Sequence, residues 1–190
     1  ELQEIWESKL EPVYPYRKAG PTVEKINGKL NAPAAPKIGV AKPKVIIPVF
    51  PGTNCEYDTA KAFARAGADP EILVIRNLTP ADVAESCKAL VKAIDNSQIV
   101  MLPGGFSGGD EPDGSAKFIA SFFRNPAVTE AVRDLLQHRD GLMLGICNGF
   151  QALIKLGLVP YGDIRPITAY DPTLTFNTIG RHQSMLVRTR

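Results

Sequence analysis

The hydrophobic pattern changes character near residue 44. Before it, Pro12, Pro15, Pro21, Pro33, Pro36 and Pro43 interrupt a stretch with no sustained helical or strand period. Residues 31–36, Asn-Ala-Pro-Ala-Ala-Pro, have linker composition. Only the first residues carry a periodic signal. Leu2, Ile5, Trp6 and Leu10 fall on one face of a short amphipathic helix. That helix is expected to cover its own domain, or else to be a remnant of an upstream domain's surface. From Lys44 onward short apolar runs alternate with segments of helical spacing. Residues 44–50 (Lys-Val-Ile-Ile-Pro-Val-Phe) read as a strand buried on both faces, 71–76 and 99–102 as further strands, and 141–146 as a buried fourth strand.

Helices fill the intervals. Thr53 with Glu56 forms a capping-box pattern, predicting a helix with Ala60, Phe63 and Ala64 inward and Gly67 as its stop. Thr79-Pro80 opens a second, with the stripe Val83, Cys87, Leu90 and Ile94. Further helices are predicted over 115–124 and 126–138, the latter entered by Asn125-Pro126, and over 148–156. Order fades after Pro160, where the alternation of 183–188 suggests an antiparallel strand. Repeated strand–helix units predict an α/β fold: a three-layer sandwich with a mostly parallel sheet and helices on both faces. Residues 1–43 are expected to be a linker and the remnant of a preceding region, and 44–190 a domain.

Composition narrows the function. The chain has 190 residues, 22 Lys plus Arg against 20 Asp plus Glu, and a net charge of +2. That balance does not suggest a nucleic-acid or membrane-surface binder. No run of about 18 apolar residues occurs. The three cysteines, 55, 87 and 147, argue against a disulfide scaffold and fit a reducing, cytoplasmic setting. No Cys-x-x-Cys or His-x-x-x-His spacing suggests a metal site. The chain starts without Met and stops at Leu186-Val187-Arg188-Thr189-Arg190, which reads as an excised piece of something longer.

One pentapeptide carries chemistry. Gly145-Ile146-Cys147-Asn148-Gly149 follows a strand and opens a helix, the pattern of a nucleophile elbow. Small residues two before and two after the nucleophile let strand and helix pack closely. The helix N-terminus is expected to favour the Cys147 thiolate, and the Asn148 backbone N–H to point at a developing oxyanion. After another strand, Pro103-Gly104-Gly105-Phe106 exposes backbone donors, with Gly105 N–H the natural second one. Gly108-Gly109 would let that loop move. Gln151, one helical turn past Cys147, is placed to bond a substrate amide or carboxylate. Cys87 reads as core packing, Cys55 as structural, His138 as a helix C-terminal group and His182 as a solvated turn residue.

With these residues in view, 44–190 resemble the class I (triad) glutamine amidotransferases, and most closely the glutaminase domains of the phosphoribosylformylglycinamidine synthases. The carrying residues are Phe50-Pro51-Gly52-Thr53-Asn54-Cys55, the run from Gly104 to Asp110, the run from Gly145 to Gln151, and 177–181. The resemblance implies a flavodoxin-like sandwich. It also implies a thioester on Cys147, an oxyanion hole from Gly105 and Asn148, and glutamine contacts from Phe106 and Gln151. Ammonia would pass to a synthetase region of the parent enzyme, where ATP and Mg are expected, to amidate formylglycinamide ribonucleotide in purine biosynthesis. The glutaminase domain itself would take no cofactor. The resemblance also implies a downstream His and Glu that neither His138 nor His182 matches, so little or no turnover is expected of these residues alone. A flavodoxin-like or α/β-hydrolase-like cysteine hydrolase, and a non-catalytic interaction module docked through 1–43, are the competing readings.

Overall fold

Four apolar runs form four strands: β1 (Lys44–Val49), β2 (Asp69–Val74), β3 (Ile99–Leu102) and β4 (Leu142–Gly145). They pair in the order β2-β1-β3-β4, all parallel. The computed structural model of the chain describes residues 1–9, 39–107, 116–175 and 177–186. Leu10, the prolines from Pro12 to Pro36, the 31–36 linker, Gly108-Gly109-Asp110, the start of the 115–124 helix and residues 187–190 lie outside the described residues. The chain forms two compact units, Glu1–Ala35 and Pro36–Arg190. In the first, helix α1 (Leu2–Ser8) leaves Leu2, Ile5 and Trp6 exposed.

In the second unit each strand face has its own apolar layer. One face packs Ile46, Val100 and Leu102 against Leu90 and Ile94 of α3 (Pro80–Asp95) and Phe123 of α4 (Lys117–Phe123). Val128 and Val132 of α5 (Pro126–Arg133) and Leu156 of α6 (Asn148–Leu156) complete that layer. The other face packs Val45, Ile47 and Met101 against Ala60 and Phe63 of α2 (Glu56–Arg65). Helices therefore lie on both faces of a parallel sheet, the three-layer α/β class expected from the pattern. Phe50, at the end of β1, is buried and meets Phe118 and Phe122 edge-on at 5.7 and 5.4 Å between ring centroids.

Several local expectations change. Thr53 caps no helix. Its hydroxyl donates to Phe50 O at 2.8 Å and accepts from Phe50 N–H at 2.9 Å, while Cys55, at φ 69°, stands at the N-cap of α2. Gly67 does stop that helix. Its N–H and that of Ala68 bond back to Ala64 O and Phe63 O, closing a left-handed C-terminal turn. Ala64 is exposed, because α2 touches the sheet with only one narrow edge. β2 begins at Asp69, two residues early, with Pro70 tolerated on an edge strand. The other edge strand, β4, is open on one face: Leu142, Leu144 and Ile146 are 44 to 53% exposed. It is less buried than the strand its sequence suggests, because the apolar layer under α2 holds residues of β1, β2 and β3 and none of β4. No strand forms over 183–186. Thr79 and Asp82 do make a full capping box on α3, worth about 1 kcal/mol.

The predicted 126–138 helix divides into α5 and a π turn, Asp134–His138. That turn brings Arg139 under the end of α3. Its guanidinium donates to the carbonyls of Ile94, Asp95 and Ser97 at 3.0 to 3.1 Å and to Asp134 at 2.7 Å. A cation at a helix C-terminus is favourable. His138 stands in the last turn of its own segment, as expected, with Asp134 at 3.3 Å. Beyond α6 lies a short helix, α7 (Leu158–Tyr161). There Arg133 clamps Asp163 through two hydrogen bonds of 2.7 and 3.2 Å and also donates to Ile164 O.

The Arg133 hydrogen bonds hold the Asp163 carboxyl below its usual range, against a smaller opposing effect of burial. Asp163 therefore binds a proton more weakly in the folded chain than in the unfolded one. Its stabilising contribution is complete above about pH 4 and is lost as pH falls through the lower, folded value. Asp163→Asn is expected to be less stable than wild type at pH 7 in urea unfolding, with the gap narrowing towards pH 2. A gap of constant size across that range would refute the assignment.

Candidate active site

Strand order places the site. β1 leads outward to β2 on one side, while β3 and β4 lie on the other, so the chain reverses direction between β1 and β3. Ligands of open parallel sheets bind at such a switch point, beyond the carboxyl ends of the strands. The pairing of β1 with β3 is short here. The β1–β3 register runs through Val45↔Ile99 and Ile46↔Val100 and then stops. Lys44 O accepts from Gln98 N–H on the β3 side, and Val49 O accepts from Ile75 N–H on the β2 side. Backbone groups alternate sides along a strand, so Pro48 faces β3 and has no N–H to offer.

Three loops meet at this end: 50–55 after β1, 103–107 after β3, and the β4–α6 elbow. Cys147 occupies the elbow at φ 54° and ψ −110°, a strained conformation for a residue with a side chain, costing about 1–3 kcal/mol. Close packing holds it there. A Cβ on Gly145 would lie 2.6 Å from Gly149 C and O, and one on Gly149 would lie 2.1 Å from Leu102 O. Only glycine at both positions lets α6 start directly above β3. Cys147 is exposed. Asn148 is the first residue of α6, so its N–H belongs to the first turn, whose donors have no partner within the helix.

The loop after β3 passes against the thiol. A Cβ on Gly104 would sit 3.3 Å from Cys147 Cβ and 4.0 Å from its Sγ. Gly105 has φ 114°, and a Cβ there would collide with Asn54 N and Gly52 O at 2.7 Å. The loop after β1 fixes that conformation. Asn54 N–H donates to Gly104 O at 2.9 Å and Phe106 N–H to Gly52 O at 2.7 Å, framing an antiparallel bridge between Thr53 and Gly105. In such a bridge the flanking residues make the bonds, which leaves the Gly105 N–H out of the ladder.

Residues 42–190 match the profile of the CobB/CobQ-like glutamine amidotransferase domain. The chain belongs to this family. Among its relatives, a phosphoribosylformylglycinamidine synthase subunit PurQ from Dehalococcoides mccartyi is 36% identical over 146 residues, covering 76% of this chain and 51% of that one. A subunit of the same name from Methanococcus maripaludis is 38% identical over 116 residues, covering 61% and 38%. The solved structure of PurLQS from Thermotoga maritima aligns over 62% of this chain and 45% of that one, at 28% identity and TM-score 0.42. The chain spans about half the length of the curated relatives it matches. The cysteine-hydrolase and interaction-module readings are not favoured by these likenesses.

Within this amidotransferase domain the structure gathers Cys147, Gly105 and Asn148 at one strand end, with Gln151 one turn along α6. Gln151 N–H bonds to Cys147 O at 3.0 Å. Phe106 is 60% exposed beside Gly105. Neither histidine joins them. His138 lies at the amino end of β4, opposite the thiol, and His182 is exposed and makes no hydrogen bond to Cys147. In residues 177–181 Asn177 Nδ2 donates to Arg181 O at 3.0 Å. Cys87 is half-buried on α3, and burial pushes its thiol up. Cys55 is exposed and donates to Asn54 Oδ1 at 2.9 Å. Among the described residues no His, Cys, Asp and Glu group could hold a metal ion, and no helix is long and apolar enough to cross a membrane.

Sequence reasoning missed two contributors. Thr53 and Asn54 brace the Gly105 loop, a role hidden because a capping box is the commoner use of Thr-x-x-Glu. Ser107 is buried and bonds to the Asn148 side chain, and a serine among glycines gives no sign of that. Gly149→Ala should force α6 off β3. It is expected to cost about 1–3 kcal/mol in urea unfolding and to slow alkylation of Cys147. Wild-type stability together with wild-type alkylation would contradict the close approach.

Proposed function

We propose that this domain is the glutaminase part of a phosphoribosylformylglycinamidine synthase, hydrolysing glutamine through Cys147 and supplying ammonia to a synthetase partner. The observation that carries the reading is the strained Cys147 at the β4–α6 elbow with the Gly104-Gly105 loop against its thiol. Family membership and the printed names of the relatives support it. The Cys147 sulfur attacks the side-chain carbonyl carbon of glutamine. The N–H groups of Gly105 and Asn148 take the negative charge that grows on the carbonyl oxygen. The carbon–nitrogen bond breaks, the nitrogen gains a proton and leaves as ammonia, and a thioester remains. Water then cleaves the thioester, releasing glutamate and restoring the thiol.

Phe106 and Gln151 would bind the rest of the glutamine. No cofactor is assigned to this domain; ATP and Mg belong, in this reading, to the synthetase that uses the ammonia. The exposed Cys55 and Cys147 suit a reducing, cytoplasmic setting. The proton transfers need a base, and among the described residues no hydrogen bond joins either histidine to Cys147. Residues 1–190 by themselves should therefore react at Cys147 yet turn glutamine over slowly, if at all.

The test uses an electrophilic glutamine analogue followed by peptide mass mapping. A single adduct on Cys147, suppressed by excess glutamine and absent in Cys147→Ser, is expected. Labelling that ignores glutamine, or that falls mainly on Cys55, would reject the reading.

A further inference from the structure

The Asn148 side chain has no part in the mechanism above, yet it is among the most buried polar groups in the molecule, at 1% exposure. It stands between the Gly105 loop and α6. Its Oδ1 accepts from Ser107 Oγ at 2.6 Å and from the Ser107 backbone N–H at 3.3 Å. Its Nδ2 donates to Gln151 Oε1 at 3.2 Å. Ser107 is itself buried, at 2% exposure.

The direction of this relay is fixed at one end. A backbone N–H can only donate, so the atom of Asn148 that faces Ser107 must be its oxygen. The amide nitrogen then faces Gln151, and the atom of Gln151 that receives it must be the carbonyl oxygen. With Oε1 turned to Asn148, the end of Gln151 that faces away from it is its NH2 group, a donor. A free glutamine side chain presents either end at little cost; this one is committed. We propose that Ser107 and Asn148 are positioning residues that set the polarity of Gln151, so that it recognises an acceptor on the substrate, the α-carboxylate of glutamine. The same bonds tie the Gly105 loop to the helix that carries Cys147, coupling the two oxyanion donors. The inference rests on the glutaminase reading for the identity of the substrate.

Asn148→Asp tests it across about pH 7 to 9, because a carboxyl as buried as Asn148 is pushed above its ordinary range and ionises towards the upper end. An aspartate still accepts from Ser107 but has no hydrogen to give Gln151, which must then turn its NH2 inward and its oxygen outward. In the intact protein, Cys147 labelling by an electrophilic glutamine analogue is compared with labelling by iodoacetamide, which carries no α-carboxylate. The analogue concentration for half-maximal labelling is expected to rise at least tenfold, relative to any change in the iodoacetamide rate, with a smaller change in the maximal rate. Ser107→Ala keeps the backbone donor and should raise it less than threefold. Asn148→Ala, which leaves Gln151 free to turn either end outward, should raise it at least twofold and decides the matter if Asn148→Asp does not fold. An unchanged half-maximal concentration in either folded variant overturns the proposal. A wild-type protein whose Cys147 is not labelled, or not protected by glutamine, overturns the glutaminase reading instead.

Discussion

The contact between Gly149 and the Leu102 carbonyl governs the carboxyl end of the sheet. Helix α6 can begin where it does only because nothing projects from Gly149 towards β3 or from Gly145 towards Gly149. That closeness forces the chain through a turn too tight for ordinary backbone angles, and the residue left at its apex is Cys147. The strain is local and is sustained by the packing of α6, whose Ala152 and Leu156 are fully buried against the sheet. The thiol is exposed because the same packing that strains its backbone leaves its side chain no room inside.

The neighbouring loops extend the same logic. Pro48 withholds a hydrogen bond on the β3 side, so the ladder ends early and the loops after β1 and β3 are free of sheet geometry. They are tied to each other instead, through Gly52, Asn54, Gly104 and Phe106. Ser107 and Asn148 then tie the pair to the helix. Precise placement is thus achieved by cross-links among loops, each of which would be pliable alone.

Much of this was legible in the residues. The strands 99–102 and the helix 148–156 appear as the pattern predicts, because an uninterrupted apolar run and a 3.6-residue stripe bounded by Gly and Pro leave little choice. The elbow was legible because its chemistry demands small residues at fixed spacing. What escaped depends on tertiary partners. Thr53 is a capping residue by local rules, yet its hydroxyl is better used closing the Phe50 turn. β4 reads as a buried strand by composition, but its exposure is decided by where the other strands and α2 pack. The Asn148 side chain gave no signal, since its partner Ser107 is 41 positions away.

The π turn at 134–138 constrains how the chain length can vary. A π turn holds one residue more than an α turn, and each residue of a helix advances the side-chain direction by about 100°. Deleting a residue from the regular part of α5 would swing Arg139 by that angle, away from the three carbonyls it spans at the end of α3. Deleting one from the π turn would only restore an α turn and leave Arg139 where it is, so this turn is the place where the segment tolerates a change of one residue in length.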